Sequence, residues 1–479
     1  MPKPIKLENI SLTFNHKICF QNFSAVINYG DRIAVIGNNG SGKTALVKAI
    51  AGCANILEGE IYIPDGIITG YVPQTIESYP QLSGGQRFNK ELSLALSKNP
   101  DLLILDEPTN HLDIYNRKSL MGMLERFKGA LLIVSHDEEL LNKNADILWH
   151  IEGGKIKIFN GKYRDYKINA ALTKNSLEEE KKMLEREKKS AHKKLMKQQE
   201  RASKSRKGGE KKREEAKWAP IAAGIKKSGA EVSAGKQKSE ISQRRYDINE
   251  RLKSLEISEE ITPSFYLNSS SVSFNLSVSQ GSAGYENNEV LSDINIAIAA
   301  GQKAALIGRN ASGKTTLLRA LTDDRNVLKN GVWIVPKKEN IGYLDQHYSN
   351  LDFNKTVIEF ISYIAPQWTN AQIRKHLNDF LFRKNEEVNE KIPLLSGGEK
   401  ARISLAAIAC RVPQLLILDE ITNNLDLLTK EHIAQILSVY PGSLLLVSHE
   451  PEFIKKIGIN DIYTAEDKRI KLDSSFIKF

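Results

Sequence analysis

One eight-residue loop occurs twice in this chain, and few features constrain a fold as tightly. Gly37-Asn38-Asn39-Gly40-Ser41-Gly42-Lys43-Thr44 and Gly308-Arg309-Asn310-Ala311-Ser312-Gly313-Lys314-Thr315 both fit G-x-x-x-x-G-K-[ST]. Each follows a short apolar run that reads as a strand, 32–36 and 304–307, and each opens into a helix-like stretch. In that setting the loop amides and the helix N-terminus converge on one anion. The lysine is expected to reach the β and γ phosphates of a nucleotide, and Thr44 and Thr315 to hold Mg²⁺.

The loops are part of a longer repeat. Both halves run in the same order: aromatic, phosphate loop, Gln, Leu-Ser-Gly-Gly, Asp-Glu, His. Apolar runs at 102–105, 131–134, 415–418 and 444–447 alternate with helical patterns. That alternation implies α/β units on a largely parallel sheet. The expected organisation is a first unit over 1–168, a different middle segment over 169–261, and a second unit over 262–479.

A chain of 479 residues is long enough for about three domains with cores of their own. Cys19, Cys53 and Cys410 lie far apart without metal-ligand spacing, so a reducing compartment and a role as small packed side chains are expected. No apolar run approaches the roughly 20 residues needed to cross a bilayer. The Met1-Pro2-Lys3-Pro4 start has no signal-peptide core, which points to the cytoplasm.

The formal charge is +10, and residues 181–217 carry sixteen Lys/Arg against six Glu. The rest of the chain, with 52 basic and 52 acidic residues, balances. All the excess charge therefore lies in the middle segment, as an electrostatic contact would require. From Leu172 to about Arg201 this segment is rich in good helix formers. Leu177, Leu184, Ala191 and Leu195 form one apolar seam, and Ile241, Ile248, Leu252 and Leu255 another. Two such helices predict an antiparallel coiled-coil hairpin with arms of roughly 45 Å. The break between them is expected to include the stretch from Ser203 to Gly209. Its Lys204, Arg206 and Lys207, with Trp218 further on, suit a phosphate backbone and a stacked base.

The chemistry needs carboxylates at strand ends. Asp106 and Asp419 each end an apolar strand and are the candidate Mg²⁺ ligands. Glu107 and Glu420 follow directly, where a carboxylate orients and polarises an attacking water.

Leu82-Ser83-Gly84-Gly85-Gln86 and Leu395-Ser396-Gly397-Gly398-Glu399 resemble the signature motif of ATP-binding cassette ATPases. Asp106-Glu107-Pro108-Thr109-Asn110-His111-Leu112-Asp113 and Gly161-Lys162-Tyr163-Arg164-Asp165-Tyr166 narrow the resemblance to the ABC-F family, and it covers the whole chain. The resemblance implies two cassettes in one chain, joined by a helical hairpin, with ATP and Mg²⁺ as cofactors. It implies that the signature acts in trans, so that Lys43 shares a nucleotide with Ser396 and Lys314 with Ser83. Gln74 and Gln346 resemble the Q-loop glutamines near Mg²⁺ and water, His136 and His449 the switch histidines, and Asp113 and Asp426 the D-loop aspartates. Phe14 and Tyr285, each 23 residues before the first loop glycine, match the aromatic that stacks on adenine. The family's partner is the ribosome, met near tRNA through the linker, either in translation or in resistance to antibiotics. A monomeric chain without a stable membrane partner is expected.

Departures from the family pattern are localised. Ile421 and Asn424 stand where the first cassette has Pro108 and His111. Eight residues separate Gln74 from Ser83, against forty-nine between Gln346 and Ser396. The second interval has room for amphipathic helices at 357–364 and 373–382; the first has room for almost none. The first cassette is therefore expected to have lost nearly all of its helical subdomain, which bears on the pairing of Lys314 with Ser83. Two alternatives differ in partner. An ATPase subunit of a transporter needs that interval to receive its membrane partner. A DNA-associated ABC ATPase is compatible with a charged hairpin, although no C-terminal coiled coil of the kind some such relatives carry is expected after the second cassette.

Overall fold

The computed structural model describes residues 3–14, 17–54, 58–110, 112–215, 239, 241–252, 274–286, 288–346, 348–423, 425–459 and 461–473. They divide into two compact units, Met1–Arg164 with Glu260–Phe479, and Asp165–Glu259.

The apolar runs become buried parallel strands. In the first cassette β3 (Arg32–Gly37), β6 (Leu102–Asp106) and β7 (Ala130–Val134) are buried almost throughout. Strands covered on both faces have no polar side to show, hence runs without alternation. Successive side chains still point to opposite faces. Ile104 joins one apolar cluster with Ile33 and Leu132, while Leu103 and Leu105 join another with Leu131 and Ile133. The sheet order is β5-β6-β7-β3-β8-β9, with β5 (Thr69–Val72), β8 (Ile147–Glu152) and an antiparallel β9 (Lys155–Asn160). Beside it lies a three-stranded antiparallel sheet of β2 (Lys17–Ile27), β1 (Ile5–Phe14) and β4 (Glu58–Tyr62).

The second cassette repeats this order as β14-β15-β16-β12-β17-β18. These are Ile341–Leu344, Leu415–Asp419, Ser443–Val447, Lys303–Gly308, Asp461–Glu466 and Arg469–Leu472. Here β18 also pairs with β11 (Asn288–Ile298), so β11, β10 (Leu276–Tyr285) and β13 (Leu328–Ile334) extend one nine-stranded sheet.

The cassettes differ in their helices as the sequence spacing requires. Residues 73–83 form no helix before α2 (Gly84–Ser97). The second cassette has α8 (Val357–Ile364), α9 (Asn370–Asp379) and α10 (Asn385–Asn389) in that interval. Helix α9 starts earlier than the apolar pattern suggests, because Thr369 and Gln372 form a capping box. Phe380 and Phe382 are buried past its end.

In the linker unit α5 (Tyr163–Glu215) is one long helix, and 241–252 form a second, α6. Arg251 pairs with Glu180 at 2.8 Å and Arg244 with Glu187 at 3.6 Å. A seven-residue step up one helix thus matches a seven-residue step down the other, so the pair is antiparallel. Ala191, Leu195 and Ile248 are buried, and Leu177, Leu184, Ile241 and Leu252 are half-buried. Leu255, Trp218 and the stretch after it lie outside the described residues. The expected break at 203–209 is corrected, since those residues are helical. Gly208 and Gly209 lower helix propensity by about 1 kcal/mol each, and the Lys, Arg and Glu run around them carries the helix through. Cys53 is a second correction: Cys19 and Cys410 are buried, but Cys53 is exposed just beyond α1 (Lys43–Ile50). No helix among the described residues is long and apolar enough to cross a membrane.

Candidate active site

Both phosphate loops leave the C-terminal end of a central strand and lead straight into a helix, α1 after β3 and α7 (Lys314–Leu321) after β12. Gly42 and Gly313 precede these helices with φ of 96° and 97°. A Cβ on Gly42 would lie 2.6 Å from Leu12 Cδ2, and one on Gly313 2.8 Å from Leu291 Cδ2. Only glycine fits such a packed left-handed position. Lys43 Nζ donates to the carbonyls of Gly37 and Asn38 at 2.8 and 2.9 Å. Lys314 Nζ donates to those of Gly308 and Arg309 at 3.0 and 2.9 Å. Burial lowers the pKa of both lysines. The remaining loop positions Asn39, Gly40, Asn310 and Ala311 are exposed, as are Asn38 and Arg309.

Thr44 Oγ1 donates to Asp106 Oδ1 at 3.4 Å, and Tyr343 OH donates to Asp419 Oδ2 at 3.1 Å. Burial raises the pKa of Asp106 and of Asp419. Ser41 Oγ, Ser312 Oγ and Asp106 Oδ2 are buried without a hydrogen-bond partner. Orphaned oxygens around two cationic loops fit a polyphosphate with its cation.

Glu107 and Glu420 share a backbone feature that sequence does not display: both have φ of 49°. His136 Nε2 lies 3.3 Å from Glu107 Oε1, and His449 Nε2 lies 3.3 Å from Glu420 Oε1. The environments then diverge. Burial pushes Glu107 up to about 8 and, with the charges of Lys43 and Lys430, pushes His136 well down. Burial acts on Glu420 too, but the hydrogen bond from His449, with Lys314 and Asn423, outweighs it and lowers its pKa.

The two halves interlock reciprocally. Asp426 Oδ2 accepts from the Asn39 amide at 3.1 Å, and Asp113 Oδ2 accepts from the Asn310 amide at 3.2 Å. Each D-loop aspartate thus meets the phosphate loop of the other cassette, while its second oxygen caps its own helix, α3 (Ile114–Arg126) or α12 (Leu427–Ser438). Gly84 lines the same open cleft of about 470 Å³ as Asn310, Gly313, Lys314, Thr315 and Glu420. Ser83 and Ser396 cap α2 and α11 (Gly397–Cys410) through matching capping boxes. Gly85 and Gly398 are buried, and a Cβ on Gly397 would meet nothing within 4 Å.

The other sequence candidates are more peripheral. Gln74 is exposed and Gln346 half-buried, each just beyond an edge strand. Phe14, at the end of β1, is 67% exposed. Tyr285 is half-buried, and its hydroxyl accepts from Arg319 at 3.4 Å. Two seam residues escaped sequence reasoning, Arg117 and Lys430, each buried four residues beyond a D-loop aspartate. Their matching offset in the repeat is the signal that could have found them.

The ABC transporter family profile matches residues 20–81 and 291–423. Erythromycin resistance ATP-binding protein MsrA of Staphylococcus epidermidis is 32% identical, over 89% of this chain and 90% of that protein. The chain belongs to the ABC-F family of twin-cassette ATPases. Ribosome protection protein VmlR of Bacillus subtilis is 28% identical to this ABC-F chain over 95% of its length and 86% of the relative. A chain from the complex of archaeal ribosomal stalk protein aP1 and ribosome recycling factor aABCE1 shares the fold. Its TM-score is 0.63 at 18% identity, covering 97% of this ABC-F chain and 89% of that chain.

Proposed function

We propose that this ABC-F protein clamps ATP and Mg²⁺ between its cassettes and uses the clamp to act on the ribosome in the cytoplasm. The working units are the cassettes over 1–168 and 262–479 and the linker over 169–261. The reciprocal bonds of Asp113 and Asp426 to the opposing loops carry this reading, because they join the two halves where both nucleotides would lie. One site takes Lys43, Thr44, Asp106, Gln74 and Glu107 with Ser396 and its glycines. The other takes Lys314, Thr315, Asp419, Gln346 and Glu420 with Ser83 and its glycines. Thr44 with Asp106, and Thr315 with Asp419, would hold Mg²⁺, which would supply charge neutralisation to the nucleotide's phosphates. Glu107 and Glu420 orient and polarise the attacking water, and ADP and phosphate leave. His136 and His449 sense the γ-phosphate, and Phe14 and Tyr285 stack on adenine.

The basic linker meets rRNA and tRNA. The names of MsrA and VmlR favour resistance by ribosome protection over a general role in translation. The test is the double substitution Glu107→Gln with Glu420→Gln. With ATP it is expected to cosediment with ribosomes and slow translation. If that protein ran free of ribosomes in ATP, the reading would be wrong.

A further inference from the structure

The two switch histidines are joined through a ring of buried charge. Arg117 donates through Nη2 to Asp137, the residue after His136, and through Nη1 to the backbone carbonyl of His449 in the other cassette. Lys430 donates to both carboxylate oxygens of Glu450, the residue after His449, at 2.8 and 2.9 Å. It also donates to the carbonyl of His136 at 3.1 Å. Each cation thus holds the neighbour of one histidine and the main chain of the other. Arg117 and Lys430 are only 3% and 8% exposed. A small cavity of about 20 Å³, room for a water, touches both cations together with Glu107, His136, Glu420 and His449.

We propose that Arg117 and Lys430 are positioning residues that couple the two hydrolytic sites, so that neither histidine settles into its hydrolytic position alone. Charge-assisted bonds to a fixed carbonyl are short and directional. A shift of the His136 main chain therefore moves Lys430, Glu450 and the segment bearing His449. Arg117 carries the reverse path. The inference rests on the reading of His136 and His449 as switch residues.

The experiment is steady-state ATP hydrolysis by the full chain carrying His136→Ala, His449→Ala or both. In the native background each single change is expected to lower kcat tenfold or more, because the partner site stalls too. The same changes are then made in Arg117→Met/Asp137→Asn/Lys430→Met/Glu450→Gln, which removes cations and acids together and leaves no buried charge unpaired. There each single change is expected to lose about half the rate, and the double change all of it. Conservative Arg117→Lys or Lys430→Arg is expected to keep the tenfold loss. Variants neutralised in one bridge only serve the same comparison if the fourfold variant does not fold, with about threefold loss expected. A tenfold loss that persists in the neutralised backgrounds overturns the coupling, as does halving in the native one. If neither histidine change slows hydrolysis, the switch assignment fails first.

Discussion

Glu107 and Glu420 occupy equivalent strand ends with the same φ, yet their carboxyls lean in opposite directions. Glu107 has the nearly closed environment and a pKa of about 8 against 4.5 when unfolded. Between those values the folded state binds the extra proton, so this group makes stability fall as pH rises. At about 1.4 kcal/mol per pH unit the effect reaches at most about 5 kcal/mol. Glu107→Gln is therefore expected to raise the melting temperature by a few degrees at about pH 8.5, with the gain gone only below the unfolded value of 4.5. Glu420, whose folded pKa is depressed, contributes stability above its unfolded value that is lost on acidification through the folded one. Glu420→Gln should lower the melting temperature at neutral pH, the loss closing as pH falls below 4.5. Thermal scans of both variants across pH check the opposite signs; parallel curves would contradict them. The repeat made both glutamates legible as equivalent positions. Their difference was not, because it arises from how completely each is covered, and coverage is tertiary. Nor was the left-handed backbone, which glutamate disfavours in isolation.

At the level of elements, the central strands and phosphate loops were legible because unbroken apolar runs and glycine spacing are local signals. The loops now distinguish glycines that sequence treats alike. Gly40 has φ of 74° and open space where a Cβ would stand, with nothing within 4 Å, and its counterpart Ala311 already holds a side chain at φ 64°. Gly40→Ala is expected to cost about 1–2 kcal/mol of backbone strain and to keep ATP binding. Gly42→Ala meets Leu12 and should weaken ATP binding a hundredfold or more, as titration with a fluorescent nucleotide can measure. The linker was legible in pattern and less so in extent. A pair of glycines reads locally as a stop, but helix formation is summed over many residues, and α5 continues through them.

For the whole molecule, the two-cassette plan and the concentration of charge were visible in the repeat and in composition. The reciprocal seam came from the family resemblance alone and not from local pattern, because the Asn39–Asp426 and Asn310–Asp113 contacts span 387 and 197 residues. The proposed ribosome contact has a physical signature in salt. Each phosphate contact adds roughly 0.7–0.9 to the slope of log affinity against log salt. Replacing Lys204, Arg206 and Lys207 with Ala should lower that slope by roughly 2–3 in ribosome binding. An unchanged slope would remove these three residues from the interface. The seam has a consequence of its own. Both partners of every bond across it belong to one polypeptide, so their meeting is a first-order event, set by tethering and indifferent to dilution. A few copies per cell respond to nucleotide as sharply as many do.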